Sequence, residues 1–127
     1  MDKMNKYKIL YIDDERINTL NFKVLFRDRY TVLTSHNASE ALTVIQNERP
    51  SIIFSDHKMP GKSGAELFCE LIEKNIPGGD VPKVIITGYV DNEEIIALLH
   101  KKIICDIVYK PINERQIHEI VNRQLNN

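Results

Sequence analysis

Five side chains able to do chemistry stand at the ends of short apolar runs in this 127-residue chain. Asp13-Asp14 (then Glu15) closes the run Lys8–Ile12, and Asp56 closes Ser51–Ser55. Thr87 and Gly88 end the run that begins at Lys83, and Lys110-Pro111 follows Asp106–Tyr109. A further run, Tyr30–Thr34, ends in Ser35-His36 and is read as off-site. If the other four ends are neighbours, three carboxylates, a hydroxyl and an ammonium share one cleft. Two carboxylates about 5 Å apart repel by roughly 3 kcal/mol at an effective dielectric of about 20. Such a cluster must raise its pKa values or take up a cation. Oxygen-only ligands favour a hard ion, and Mg2+, which keeps several waters, is the expected one. Zinc would want histidine or cysteine ligands beside the carboxylates. Three carboxylates, one lysine and one doubly charged ion sum to zero. A phosphoryl group can therefore approach Asp56 without gross repulsion and be attacked in line, giving an acyl phosphate.

The elements that must position these groups follow from hydrophobic patterning. The first, third and fourth runs are nearly continuous rather than alternating, as in strands covered on both faces of a parallel sheet. Helical spacing lies between the runs: Ile17, Leu20, Val24 with Phe22, Leu25, Phe26, then Ala38, Ala41, Leu42, Ile45, and so on to the C-terminus. Four of the helices are predicted to open with a capping residue and an acid or amide three positions later. The pairs are Asn37/Glu40, Ser63/Glu66, Asp91/Glu94 and Asn113/Gln116, each satisfying amide donors that a first helical turn leaves bare. Strand and helix alternate five times, which implies right-handed crossovers and a three-layer α/β sandwich. No repeat, low-complexity tract or interdomain linker is visible, so one domain over residues 1–127 is expected.

Composition is that of a globular domain: 43% hydrophobic, 28% charged, net charge −1. No Lys/Arg cluster supplies the footprint of a nucleic-acid binder, no apolar run spans a membrane, and Met1–Lys8 lacks the apolar core of a signal peptide. Cys69 and Cys105 are far apart in sequence and are read as reduced core fillers. The class implied is a cytoplasmic single domain.

Taken together, Ile12-Asp13-Asp14-Glu15, Asp56-His57-Lys58-Met59-Pro60 with Gly64, Ile86-Thr87-Gly88-Tyr89 and Tyr109-Lys110-Pro111 resemble the response-regulator receiver family over residues 7 to about 124. The resemblance implies a flavodoxin-like fold with strand order 2-1-3-4-5. It also implies a switch phosphorylated on Asp56 by a histidine kinase, a phosphotransfer protein or a small phosphodonor. Asp14 and Asp56 would bind Mg2+ directly, Asp13 mainly through water, and Lys58 through its backbone carbonyl. Lys110, the Thr87 hydroxyl and the Gly88 amide would hold the phosphoryl oxygens, and the bond before Pro111 would be cis. Three departures stand out. Ile107 occupies the place of the family's switch aromatic, with Tyr109 displaced by two. Ile103-Ile104 replace a small turn, leaving the fourth helix without a C-cap glycine. Lys58 and Tyr89 are bulky at positions that tune water access, which suggests a long-lived acyl phosphate.

Competing readings are weighed residue by residue. His57 reads as a solvent-facing bystander, and His36, His100 and His118 as surface residues. The apolar fourth helix (Ile95, Ile96, Leu98, Leu99, then Ile103, Ile104) reads first as core. Its functional reading is a dimer or output-partner surface shared with the fifth strand and fifth helix. The rival function is a haloacid-dehalogenase-like phosphohydrolase, which wants Asp-x-Asp where this chain has Asp13-Asp14. A flavin-binding module would want a Ser/Thr/Gly-rich loop where this chain has Asp-Asp-Glu-Arg.

Overall fold

The computed structural model describes residues 6–88 and 92–126. Five strands alternate with five helices: β1 (Lys8–Ile12), α1 (Arg16–Phe26), β2 (Thr31–Ser35), α2 (Ala38–Glu48), β3 (Ile52–Asp56), α3 (Gly64–Glu73), β4 (Lys83–Thr87), α4 (Glu93–His100), β5 (Asp106–Tyr109) and α5 (Glu114–Leu125). The strands pair in parallel, as the alternation predicted, and in the order β2-β1-β3-β4-β5 that the resemblance implied. β2 and β3 each begin one residue later than their runs did, so Asp56 is the last residue of its strand rather than the first of a loop.

Every residue of β3 and β4 is buried, and their alternating side chains feed two cores. On one face Leu10, Ile12, Ile53 and Ile85 meet Ala41 and Ile45 of α2, Phe68 and Leu71 of α3, and Ile95 and Leu98 of α4. On the other, Ile9, Tyr11, Phe54, Val84 and Ile86 meet Phe22 and Phe26 of α1 and Ile117, Ile120 and Val121 of α5. Cys69 and Cys105 are free and only partly buried, and burial pushes both thiols above their ordinary range.

The helix starts follow the predicted chemistry with one correction. Asn37 and Asn113 each accept the amide of the residue three positions on, and Ser63 with Glu66 completes a reciprocal capping box. At α4 the cap is Asn92, accepting from Ile95 N, and not Asp91, which lies outside the described residues. With no glycine to end α2, α3 and α4, Arg49, Asn75 and Lys102 take the left-handed conformation there (φ 51°, 50° and 63°).

Of the two stripes its spacing offered, α1 buries the aromatic one. Thr19, Phe22 and Phe26 are buried, while Ile17, Leu20 and Val24 are 60%, 56% and 51% exposed. The aromatic stripe wins because its rings stack with Tyr11 and Phe54 into an aromatic cluster. Phe22 lies flat on Tyr11, centroids 4.2 Å apart and planes 4° apart. In α4 the balance falls the other way. Ile95, Leu98 and the following Ile104 are buried, and Leu99 and Ile103 pack against the same core, so its apolar excess is mainly core.

Candidate functional site

Parallel strands that all run toward one edge deliver their final residues to that edge. β1 carries Asp13 and Asp14 there, β3 carries Asp56, and carboxylate oxygens of all three lie within 4.8 Å of one another. Asp13 is fully buried and Asp56 is 6% exposed. Lys110, just after β5, reaches back so that its Nζ stands 3.2 Å from Asp56 Oδ1. Its backbone amide also donates to Thr87 O at 2.9 Å, tying the end of β5 to the end of β4. The Lys110–Pro111 bond is cis, as the resemblance implied. Asp56, Lys58, Thr87, Gly88 and Lys110 line one cavity of about 410 Å³. Asp13, Asp14, Asp56, Lys58, Thr87, Gly88 and Lys110 are thus brought together at this edge. Tyr89 lies outside the described residues.

Charge sets the electrostatics. Burial raises the Asp56 pKa above its ordinary value, Asp13 raises it further, and Lys110 only partly counteracts them. The three acids offer oxygen ligands alone, with no histidine or cysteine in the cluster, and the donor set therefore fits a hard divalent ion.

Asp13 is held from three sides. Its Oδ2 accepts from Tyr11 Oη at 2.8 Å and from Asn18 Nδ2 at 3.1 Å, and its Oδ1 from Glu15 N at 3.0 Å. Burial and the adjacent Asp13 carboxylate push the Tyr11 phenol far up, so it stays a donor. Sequence reasoning counted Tyr11 only as a strand residue. The available signal was its phenol two positions before Asp13, on the same side of the strand.

The histidines depart from expectation. His57 is 7% exposed rather than solvent-facing, because its backbone continues the β3–β4 pairing. Its amide donates to Ile86 O, its carbonyl accepts from Gly64 N, and Nε2 stands 3.7 Å from Glu94 Oε1. His36 is also drawn inward, with Nε2 3.1 Å from Thr19 Oγ1 and Nδ1 3.3 Å from Glu40 Oε1. His118 Nδ1 pairs with Tyr30 Oη at 2.8 Å. Of the four only His100 is as open as expected. Ile107 is partly buried against the core under β4, beside Ile85, while Tyr109 is exposed next to Thr87.

Gly64 fixes how closely α3 approaches the acceptor strand. A Cβ there would lie 2.6 Å from Asp56 O and 3.0 Å from both Ile85 Cδ1 and Ser55 Oγ. Gly64→Ala is therefore expected to cost about 1–3 kcal/mol through overpacking. Urea denaturation measures this, and an unchanged midpoint would contradict the close approach.

A sequence profile of the response regulator receiver domain matches residues 9–122. The hydrogenase transcriptional regulatory protein HoxA of Cupriavidus necator is 30% identical over 103 residues, covering 81% of this chain and 21% of that protein. The transcriptional regulatory protein HptR of Staphylococcus aureus is 28% identical over 121 residues, covering 92% of this chain and 46% of that one. The chain thus spans less than half the length of these relatives. Among solved structures, a CheY-like response regulator receiver domain protein from Methanospirillum hungatei superposes with a TM-score of 0.82 at 28% identity, covering 96% of this chain and 95% of that one.

Proposed function

The chain belongs to the response regulator receiver domain family, and from that membership we propose that it accepts a phosphoryl group on Asp56 in a magnesium-dependent step. The single observation that carries the reading is the meeting of three carboxylates with the Lys110 ammonium at one sheet edge.

Asp14 and Asp56 would hold the ion directly, Asp13 through water, and Lys58 by its carbonyl. When bound, Mg2+ supplies positive charge that offsets the carboxylates and the incoming phosphoryl oxygens. A carboxylate oxygen of Asp56 attacks phosphorus, and the bond from phosphorus to the donor's nitrogen or oxygen breaks with the electron pair leaving on the donor. Lys110 follows the growing charge on the equatorial oxygens, together with the Thr87 hydroxyl and the Gly88 amide. Lys58, which lines the cavity, shields the product from water. A histidine kinase, a phosphotransfer protein or a small acyl phosphate serves as donor in the cytoplasm.

The signal leaves through α4, β5 and α5, toward a partner or a second copy. Supporting this route, His57, next in chain to Asp56, touches Glu94 of α4, and Lys110 hydrogen-bonds Thr87. Ile107 and Tyr109 then share the role of the usual switch aromatic. The domain acts as a switch and turns over no separate substrate. It makes no contact with nucleic acid itself, and among the described residues no helix is long and apolar enough to cross a membrane. The phosphohydrolase alternative finds no support. Its nucleophile would be Asp13, which is fully buried and has three of its about four lone pairs taken by Tyr11, Asn18 and Glu15.

Incubation with acetyl phosphate and Mg2+ should add one phosphoryl mass to the intact protein, mapping to Asp56 and abolished by EDTA. Labelling at any other residue, or labelling indifferent to EDTA, would defeat the reading.

A further inference from the structure

A carboxylate has about four in-plane lone-pair positions, two on each oxygen. At Asp13 three of them are taken inside the protein. Tyr11 Oη and Asn18 Nδ2 together fill Oδ2, and Glu15 N uses half of Oδ1. The arrangement has little slack. Asp13 is 0% and Tyr11 1% exposed, and the Tyr11 ring is pinned face to face on Phe22. Asn18 is braced in turn by Glu15 Oε1 at 3.1 Å. Asp13 therefore shows the cleft a single lone pair on Oδ1.

That geometry bears on which ion the acids accept. Calcium prefers six to eight oxygens and readily takes both oxygens of one carboxylate, whereas magnesium demands a tight octahedron and keeps waters. We propose that Tyr11 is a selectivity-determining positioning residue. Together with Asn18 it fills both lone pairs of Oδ2, so that Asp13 is barred from two-oxygen coordination and the site is tilted toward Mg2+ over Ca2+. The inference rests on the metal-binding reading above and adds to it a residue outside the acid set.

Tyr11→Phe keeps the ring and its stacking and removes only the donor. Asn18→Ala removes the other Oδ2 donor from the partly exposed side of α1. Calorimetric titration with magnesium chloride and with calcium chloride gives the ratio of the two affinities for each protein. In each variant the Ca2+/Mg2+ affinity ratio should rise about tenfold over the wild type, with Mg2+ affinity itself moving less than about threefold. A lowered melting temperature with an unchanged ratio would mean that Tyr11 merely braces the strand, and would overturn the proposal. If the wild type binds both ions and neither variant shifts the ratio by more than about twofold, the proposal is overturned alone. If the wild type takes up neither ion, the metal reading falls and this one with it.

Discussion

An Asp56→Asn variant is expected to melt at a higher temperature than the wild type while taking up no phosphoryl group. The loss of function follows from removing the nucleophile. The gain in stability follows from the charges around it. In the apo protein Asp56 is buried beside Asp13 and Asp14, Lys110 only partly offsets the acids, and its pKa is raised, chiefly by burial and then by Asp13. A carboxyl whose pKa is higher folded than unfolded helps the fold only while it holds its proton. That contribution is complete below the unfolded value, near pH 3.8, and disappears as pH climbs through the raised folded value. At neutral pH the ionised group thus works against the fold, and a neutral amide of the same shape relieves it. Lys110 loses its partner but keeps its water, since its side chain is 39% exposed. The net gain expected is on the order of 1 kcal/mol, a few degrees in a domain of this size. Calorimetric scans in EDTA at several pH values measure it, and the gap between the two proteins should narrow as pH falls toward 4. A variant that melts lower than the wild type at pH 7 would show that Asp56 is held by its pairing rather than opposed by its neighbours.

Lys110→Ala is expected to move two properties in opposite directions. Phosphoryl uptake from acetyl phosphate should fall about 10²–10³-fold, the usual consequence of removing one charged group that meets developing negative charge. Magnesium, by contrast, should bind more tightly. A single positive charge a few ångström from a double one opposes it by roughly 1–2 kcal/mol even under water-like screening, which is about tenfold in Kd. Calorimetry reads the second effect and timed acid quench the first. A variant in which both decline together would mean that Lys110 organises the acids rather than competing with the cation for them.

Much of this was legible from residue order. Near-continuous apolar runs announced covered parallel strands, and a carboxylate, hydroxyl or lysine at the end of each placed the site before any coordinate was known. What escaped were matters of side-chain direction. The periodicity of Ile17, Leu20 and Val24 in α1 equals that of Thr19, Phe22 and Phe26, and only the ring stack on Tyr11 decides which stripe goes inside. His57 looked like a loop residue because its run seemed to stop at Ser55. One more residue of strand and a backbone bond to Ile86 draw it into the protein. Tyr11 was hidden for a related reason. A tyrosine in a strand reads as bulk, and its donor counts only when the group it reaches is buried as well.

Among the described residues the three non-glycine ones in left-handed backbone, Arg49, Asn75 and Lys102, all end helices, and in an alternating parallel fold helices end on the side away from the strand tips. Strained turns and reactive groups are therefore segregated to opposite poles of the molecule. A substitution at the far pole leaves the acids untouched, whereas at the near pole Asp13 held by the Glu15 amide and Asp56 paired with Lys110 leave little room for change.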